Sequence, residues 1–490
     1  MSRPHRQPSR SLRRATFFLY GGASVAIVAL HLATNGTLGF HLDELYYLDC
    51  GRHPAFGYVD FPPIVPLLAR LETGLLGVTP WTLRLLPALI SGILVALSGA
   101  YIRRLGGSLR LQGIALLFAI TTPFILGTWL FQTVIFDQLF WMLALYWFLC
   151  LVLKGRARHW ILLGITLGIG LEVKYTILAL SVGIGVAVVL TPSLRRDLRT
   201  RYPWIAVGII FLIWVPNLIW QIVNGFPTMT YVLSHQGSTG GIGAYLEGLL
   251  LLLFFLVPLW VFGFISLFRS PELRPIGIAC VIPLVIFLFA GKYYYAAPTI
   301  PIVMAQGLIA LAHIERRRLR SRLTIAVVVA SLLAVALVPI TVPIVPASRL
   351  HATGLDSFYG DTVGWPEITQ ELTAIYAALP PSERGTTVII SAYYGVPGAL
   401  QIYGNSTLLP EAMSPQLSDY FWLPSHLTAT DALMVNYNPS EVAWMCTSAR
   451  ILAHLTVPYH VVNLEQGAPV TLCQLKEPLP KLWTRLRNFS

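Results

Sequence analysis

Charge is what this chain has least of. Only 11% of its 490 residues are Asp, Glu, Lys or Arg, while 55% are apolar; soluble domains carry roughly 25% charged residues. An ordinary soluble enzyme is thereby excluded. Cysteine is scarce too, five in all, and no two stand at a spacing that would frame a zinc site. No P-loop and no dinucleotide fingerprint occurs, so the chain offers no sequence cradle for a nucleotide. Internal repeats and low-complexity tracts are also missing.

What fills the chain is hydrophobic sequence, with a mean hydropathy of +0.67. Apolar runs near the roughly 20 residues that cross a bilayer recur at 15–34, 82–102, 111–129, 134–153, 160–173, 175–192, 204–221, 244–268, 275–291, 296–312 and 323–342. They predict a polytopic α-helical membrane protein of about eleven helices over residues 1–342. A net charge of +12 could suggest nucleic acid, but its placement argues otherwise. Arginines and lysines crowd alternate connections: Arg3 to Arg14, Arg103 to Arg110, Lys154 to Arg158, Arg195 to Arg201, Arg269 and Arg274, and the HIERRRLRSR run. The other connections hold only Arg52, Arg70, Arg84, Lys174 and Lys292. Positive-inside bias therefore predicts a cytoplasmic N-terminus in a plasma or inner membrane, with no nucleic-acid partner. The first run is long for a cleaved signal peptide, which favours a retained helix.

Residues 343–490 change character. GWPEITQELTAIYAALP reads as a helix stopped by proline, and TTVIISAYYG and DALMVNY read as buried strands. This predicts a soluble α/β domain on the outer side. Cys446 and Cys473 fall within it, where a disulfide is chemically permitted; Cys150 and Cys280 lie in predicted helices.

The scarce acids collect on the outer face. HLDELYYLDCGRHPAFGYVDFPP, residues 41–63, holds Asp43, Glu44, Asp49 and Asp60. Adjacent carboxylates on a helix point in different directions, so only one of Asp43 and Glu44 is expected to face a given site. Asp137 stands among apolar side chains at the outer start of a helix, where an ionisable group marks function. Lys174 and Lys292 sit where spans meet the outer surface. They would either snorkel to the headgroups or oppose a phosphate, with Arg52 as a further outer cation. Tyr46 and Tyr294 belong to aromatic clusters that form an interfacial belt or a sugar-stacking platform. GYVDFPP predicts a rigid interfacial elbow. Its Asp60, with Glu44, His53 or His235, offers oxygen and imidazole ligands suited to Mg, Mn or Zn.

No nucleotide is available outside the cell, so outer-face chemistry needs an energy source that crosses the membrane. A sugar on a polyprenyl phosphate meets that need. A carboxylate takes the proton from an attacking hydroxyl, and cations stabilise the departing phosphate. One base opposite one leaving group predicts inversion.

The ordered series HLDELYY, GYVDFPP, FDQLFW, VPNLIWQIVNGFPT, KYYYAAP, YGDTVGWPEI, SAYYGVPGALQIYG and SDYFWL spans nearly the whole chain. It resembles GT-C superfamily integral-membrane glycosyltransferases of the protein O-mannosyltransferase and aminoarabinose-transferase type. The resemblance implies a polyprenyl-phosphate-linked sugar donor and a glycan, protein or lipid acceptor. It implies Asp43 as base, Asp137 as a second acid, Glu44 as a metal or structural partner, and Lys292 on the donor phosphate. Two departures stand out. Phe61 replaces the histidine that many relatives place before the elbow prolines, which argues against a metal. The lysine of the aminoarabinose transferases is absent there as well, which argues against transfer to lipid A. A transporter or lipid-linked-sugar flippase is the alternative, with Asp137 and Lys174 along a path. An odd helix count and no repeat count against it.

Overall fold

The computed structural model describes residues 10–234, 241–290, 292–424 and 427–489. Each of the eleven apolar runs is helical. Among the described residues, seven helices are long and apolar enough to cross a bilayer: Arg14–Thr34, Pro80–Arg104, Thr133–Lys154, Tyr202–Val223, Gly241–Arg269, Tyr293–Ala312 and Arg317–Thr341. An eighth run, Leu109–Thr121 with Pro123–Trp129, bends by 57°, at a proline that cannot continue the ladder. Ala157–Leu171, Ile177–Leu190 and Arg274–Phe289 are apolar but shorter.

The outward surfaces of these helices would fail in water. Phe17, Leu212 and Val223 are 73%, 72% and 77% exposed, as side chains facing lipid tails are. Between helices, small residues permit close approach. A Cβ on Gly164 would stand 2.8 Å from the Ala206 backbone, and one on Gly168 would stand 3.2 Å from that of Ile210. Ala157–Leu171 and Tyr202–Val223 therefore pack almost backbone to backbone.

The first connection is structured rather than loose. His41 caps the helix Leu42–Arg52, here called the loop helix, by accepting from the Asp43 N–H at 3.1 Å. The elbow follows without regular structure, and then the helix Ile64–Leu76 begins. That helix is amphipathic: Val65, Ala69 and Glu72 are buried, whereas Leu67, Leu71 and Leu75 form an exposed stripe at four-residue spacing. Such a stripe suits a helix lying in the bilayer interface.

Beyond Thr341 the chain forms a sheet domain. Its strands are β1 (Thr387–Ser391), β2 (Ala412–Met413), β3 (Asp431–Val435), β4 (Cys446–His454) and β5 (Pro469–Leu475), in the order β2-β1-β3-β5-β4. β1 runs parallel to β2 and β3, and β5 antiparallel to β3 and β4. β1 is buried along its whole length, matching the unbroken apolar reading of TTVIIS. The predicted helix is Trp365–Ala377. Cys446 and Cys473 are bonded across β4 and β5 with Cα atoms 5.4 Å apart and a sequence separation of 27. A loop of that length contributes roughly 3.5 kcal/mol on the chain-entropy account. Cys50, Cys150 and Cys280 are free and buried.

The sheet domain is docked on the loop helix through Gly395–Tyr403, where a Cβ on Gly398 would lie 2.9 Å from both the Leu45 side chain and its backbone oxygen. The SAYYGVPGALQIYG motif thus has a packing reason for its second small position: only hydrogen fits there.

Candidate active site

Asp43 and Glu44 are consecutive and point apart, and each grips one of two consecutive residues that lead into another helix. Asp43 accepts from Gln132 Nε2 at 2.7 Å through Oδ2, while Glu44 accepts from the Phe131 N–H at 3.1 Å through Oε1. These contacts set the loop helix against the start of Thr133–Lys154.

Glu44 is fully used. Its Oε1 also accepts from Arg84 Nε at 2.9 Å, and its Oε2 from Arg84 Nη2 at 2.6 Å and the His41 N–H at 2.9 Å. Arg84 spends its remaining donors on the carbonyls of Asn35 (2.7 Å), Leu38 (3.2 Å) and Gly39 (2.6 Å), and its guanidinium lies 4.7 Å from the Trp129 ring centre. Both side chains are wholly buried. All five guanidinium protons and all four carboxylate acceptor directions are engaged, which is the condition under which a buried ion pair is tolerated. The expectation that Glu44 acts in catalysis or ligates a metal is corrected: it has no free lone pair, and its role is structural.

Asp43 differs. Besides Gln132 it accepts from the Tyr394 hydroxyl at 2.8 Å through Oδ1, leaving acceptor capacity on each oxygen. It lines a cavity of about 280 Å³ together with Asp60, Lys174, Lys292, Tyr46, Tyr294, Tyr295 and Tyr394. Six residues singled out in the sequence therefore meet in one space: Asp43, Asp60, Lys174, Lys292, Tyr46 and Tyr294. Lys174 Nζ lies 4.8 Å from the Tyr295 ring centre and 5.8 Å from that of Tyr294, a cation–π cage that orients the ammonium. Its charged surroundings are Asp137, Lys292, Asp43 and Asp60.

Asp137 stands behind this space and does not line it. Its Oδ2 accepts from the Thr176 hydroxyl at 2.7 Å, and its Oδ1 has no partner among the described residues. Lys174 is the cation that bears on it, so among the expected site residues Asp137 stands one layer back from the cavity, beside that lysine. Asp60 accepts from the Tyr46 hydroxyl at 3.0 Å. Burial pushes the Asp60 carboxyl up to about 7, against the opposing effect of the Tyr46 hydrogen bond.

Other expectations separate. Arg52 and His53 line a different cavity, so Arg52 is no part of this one. His53 is stacked on Trp422 with ring centres 4.2 Å apart, Glu44 is held by Arg84, and His235 lies outside the described residues. Among the described residues no three His, Cys, Asp or Glu side chains gather as a metal requires. The proposed ligand set is therefore not brought together.

Some contributors carried no local signal. Tyr394 stacks on Tyr46 at 4.4 Å as well as binding Asp43. Leu417, with φ of 48°, also lines the cavity, and the next residue locks the wall: the Ser418 N–H donates to Tyr46 Oη at 3.0 Å, and its Oγ accepts from the Val59 N–H at 2.9 Å. A leucine held in the left-handed region costs of order 1 kcal/mol or more, which the contacts of the neighbouring Ser418 must offset. The motifs SAYYGVPGALQIYG and SDYFWL contain Tyr394 and Ser418, but nothing in them names their partners.

Residues 60–220 match the family model described as dolichyl-phosphate-mannose-protein mannosyltransferase. No curated protein matches in sequence. Among solved structures, ArnT from Cupriavidus metallidurans in the apo state is similar at 14% identity and a TM-score of 0.62, over 94% of this chain and 98% of that one. The same protein bound to undecaprenyl phosphate is similar at 15% identity and a TM-score of 0.58, with the same coverage. The Archaeoglobus fulgidus oligosaccharyltransferase complex with Zn and sulfate follows at 13% identity and a TM-score of 0.50, over 85% of this chain and 68% of that one. This multi-pass membrane protein therefore shares the fold of the ArnT structures, with a match to the dolichyl-phosphate-mannose-protein mannosyltransferase family model across residues 60–220.

Proposed function

We propose that the chain is an inverting glycosyltransferase that moves a sugar from a polyprenyl-phosphate donor to an acceptor at the outer face of the membrane. The observation that carries this reading is one cavity in which a carboxylate with spare acceptor capacity, Asp43, faces two lysines, Lys174 and Lys292. Asp43 takes the proton of the acceptor hydroxyl as that oxygen attacks the anomeric carbon. The bond from that carbon to the phosphate oxygen breaks, and the phosphate leaves with its charge opposed by the two ammonium groups. Attack from the side opposite the leaving group inverts the centre. The bound undecaprenyl phosphate of the similar ArnT structure supports a lipid-phosphate donor. Positive-inside bias supports a cytoplasmic N-terminus and an outer sheet domain.

The test is mass spectrometry of lipids and surface glycans from a deletion strain and its wild-type complement. The deletion should accumulate a polyprenyl-phosphate sugar and lose one glycan modification. Loss of uptake or lipid flipping with no covalent change to any sugar would instead support transport.

The Asp60 carboxyl adds a pH dependence. With its value raised to about 7, Asp60 is protonated below that pH and charged above it. Donor affinity should therefore rise by about tenfold from pH 8 to pH 6, because a like charge near the phosphate is removed. Asp60→Asn should flatten this dependence, and an unchanged slope would exclude Asp60 as its source. The same shift makes the Asp60 contribution to folding weaken as pH rises from about 4 to 7, since the folded form binds the proton more tightly.

A further inference from the structure

A second cavity, of about 480 Å³, lies on another face of the loop helix and shares no lining residue with the first. The loop helix supplies Asp49 and Arg52 to it, and the sheet domain supplies Gln401, Glu411, Asp419 and Trp422. One stretch of the sheet domain thus walls both spaces, with Leu417 in one and Asp419 in the other.

Asp419 is the anomaly. It is 2% exposed, and neither carboxylate oxygen has a hydrogen-bond partner among the described residues. Asp49, 6% exposed, is the like charge that bears on it most, ahead of Asp60. His53 Nδ1 stands 3.6 Å from Asp49 Oδ1, and the His53 ring is pressed flat on Trp422 at an interplanar angle of 13°. Glu411 and Arg52 lie at the exposed rim. A buried carboxylate without donors is costly, and a second one beside it adds repulsion. Burial pushes Asp49 up to about 6 and Asp419 well above the usual carboxylate range. Without a cation, such a pair holds a proton instead.

The geometry points to an occupant that brings several N–H donors and one positive charge. A metal ion needs more ligands than this wall presents, since no three metal-binding side chains converge among the described residues. An ammonium needs only acceptors, and the volume suits a small polar molecule that carries one. We propose that this cavity binds a primary ammonium group on a molecule of about monosaccharide size, with Asp419 and Asp49 as its acceptors. The site is separate from the sugar-transfer cavity, and the inference holds whether or not the chain transfers sugar.

The test is a titration of the full-length protein in lipid nanodiscs, read as saturable thermal shift, with ethanolamine, glucosamine, their N-acetylated counterparts and MgCl₂ as probes. The free amines should bind and the acetylated forms should not, because acetylation removes the charge. Stronger binding of glucosamine than of ethanolamine would assign the ammonium to a sugar, and the reverse to a small headgroup amine. Asp419→Asn and Asp49→Asn should each weaken amine binding by at least about tenfold, the loss of a hydrogen bond to a charged group. Equal binding of acetylated and free amines, a saturable response to MgCl₂ alone, or unchanged amine affinity in Asp419→Asn would each overturn the assignment. The acetylated controls need no variant, so the test stands even where a substitution fails to fold.

Discussion

Asp43→Asn is expected to lower the rate of sugar transfer by about 10²- to 10⁴-fold, the usual contribution of a positioned general base. The reason lies in what the asparagine keeps and loses. Its amide oxygen can still accept from Tyr394 or Gln132, both of which bind Asp43 at under 3 Å. It cannot take a proton at neutral pH. The substitution should therefore act on kcat, leave the donor KM within a few-fold, and shift the melting temperature by only a few degrees. Reconstituted protein with a polyprenyl-phosphate sugar and radiolabel transfer separates these quantities. Wild-type turnover in Asp43→Asn would sink the base assignment and leave the cavity without a proton acceptor other than Asp60.

Arg84→Met should behave in the opposite way, harming the fold before the chemistry. It strands the Glu44 carboxylate in a fully buried site and leaves three carbonyls, those of Asn35, Leu38 and Gly39, without their donors. Removing one partner of a buried ion pair costs about 3–5 kcal/mol. Arg84→Lys is not a rescue, because an ammonium has three donors in the wrong geometry for five bonds. The double variant Arg84→Met/Glu44→Met should recover part of the loss. It should fall short of wild type, since the N–H groups of His41 and Phe131 stay unpaired. The measurement is the melting temperature and monodisperse yield of the four proteins in one detergent. A single Arg84→Met variant as stable as wild type would show that the pair is dispensable.

The two predictions also mark where sequence reading stops. Hydropathy alone locates the eleven helices, because the period and length of an apolar run are local properties. It also brings Asp43, Asp60, Lys174 and Lys292 to the same side of the membrane, and these four do share a cavity. Pairing is another matter. Arg84 reads as one more outer-face cation; its partner Glu44 is 40 residues away, and nothing between them encodes the contact. Tyr394 binds Asp43 across 351 residues, a separation that only the docking of the sheet domain closes. The metal reading of Glu44, His53 and Asp60 follows the same logic in reverse. Those groups are near in sequence, but the loop helix and elbow turn them toward Arg84, Trp422 and Tyr46 respectively. A helix sends neighbours to different faces, so proximity in the chain is a poor guide to a shared ligand.

The leucine stripe of Ile64–Leu76 carries a kinetic consequence. A helix lying flat in the interface fixes the height of everything attached to it, and the elbow with Asp60 is attached directly to its first turn. A donor held in the leaflet by its polyprenyl chain would then meet the cavity by lateral diffusion, without leaving the plane of the membrane. Turnover should accordingly obey surface dilution. It should follow the mole fraction of donor among the lipids, and stay constant when vesicles of fixed composition are diluted in buffer.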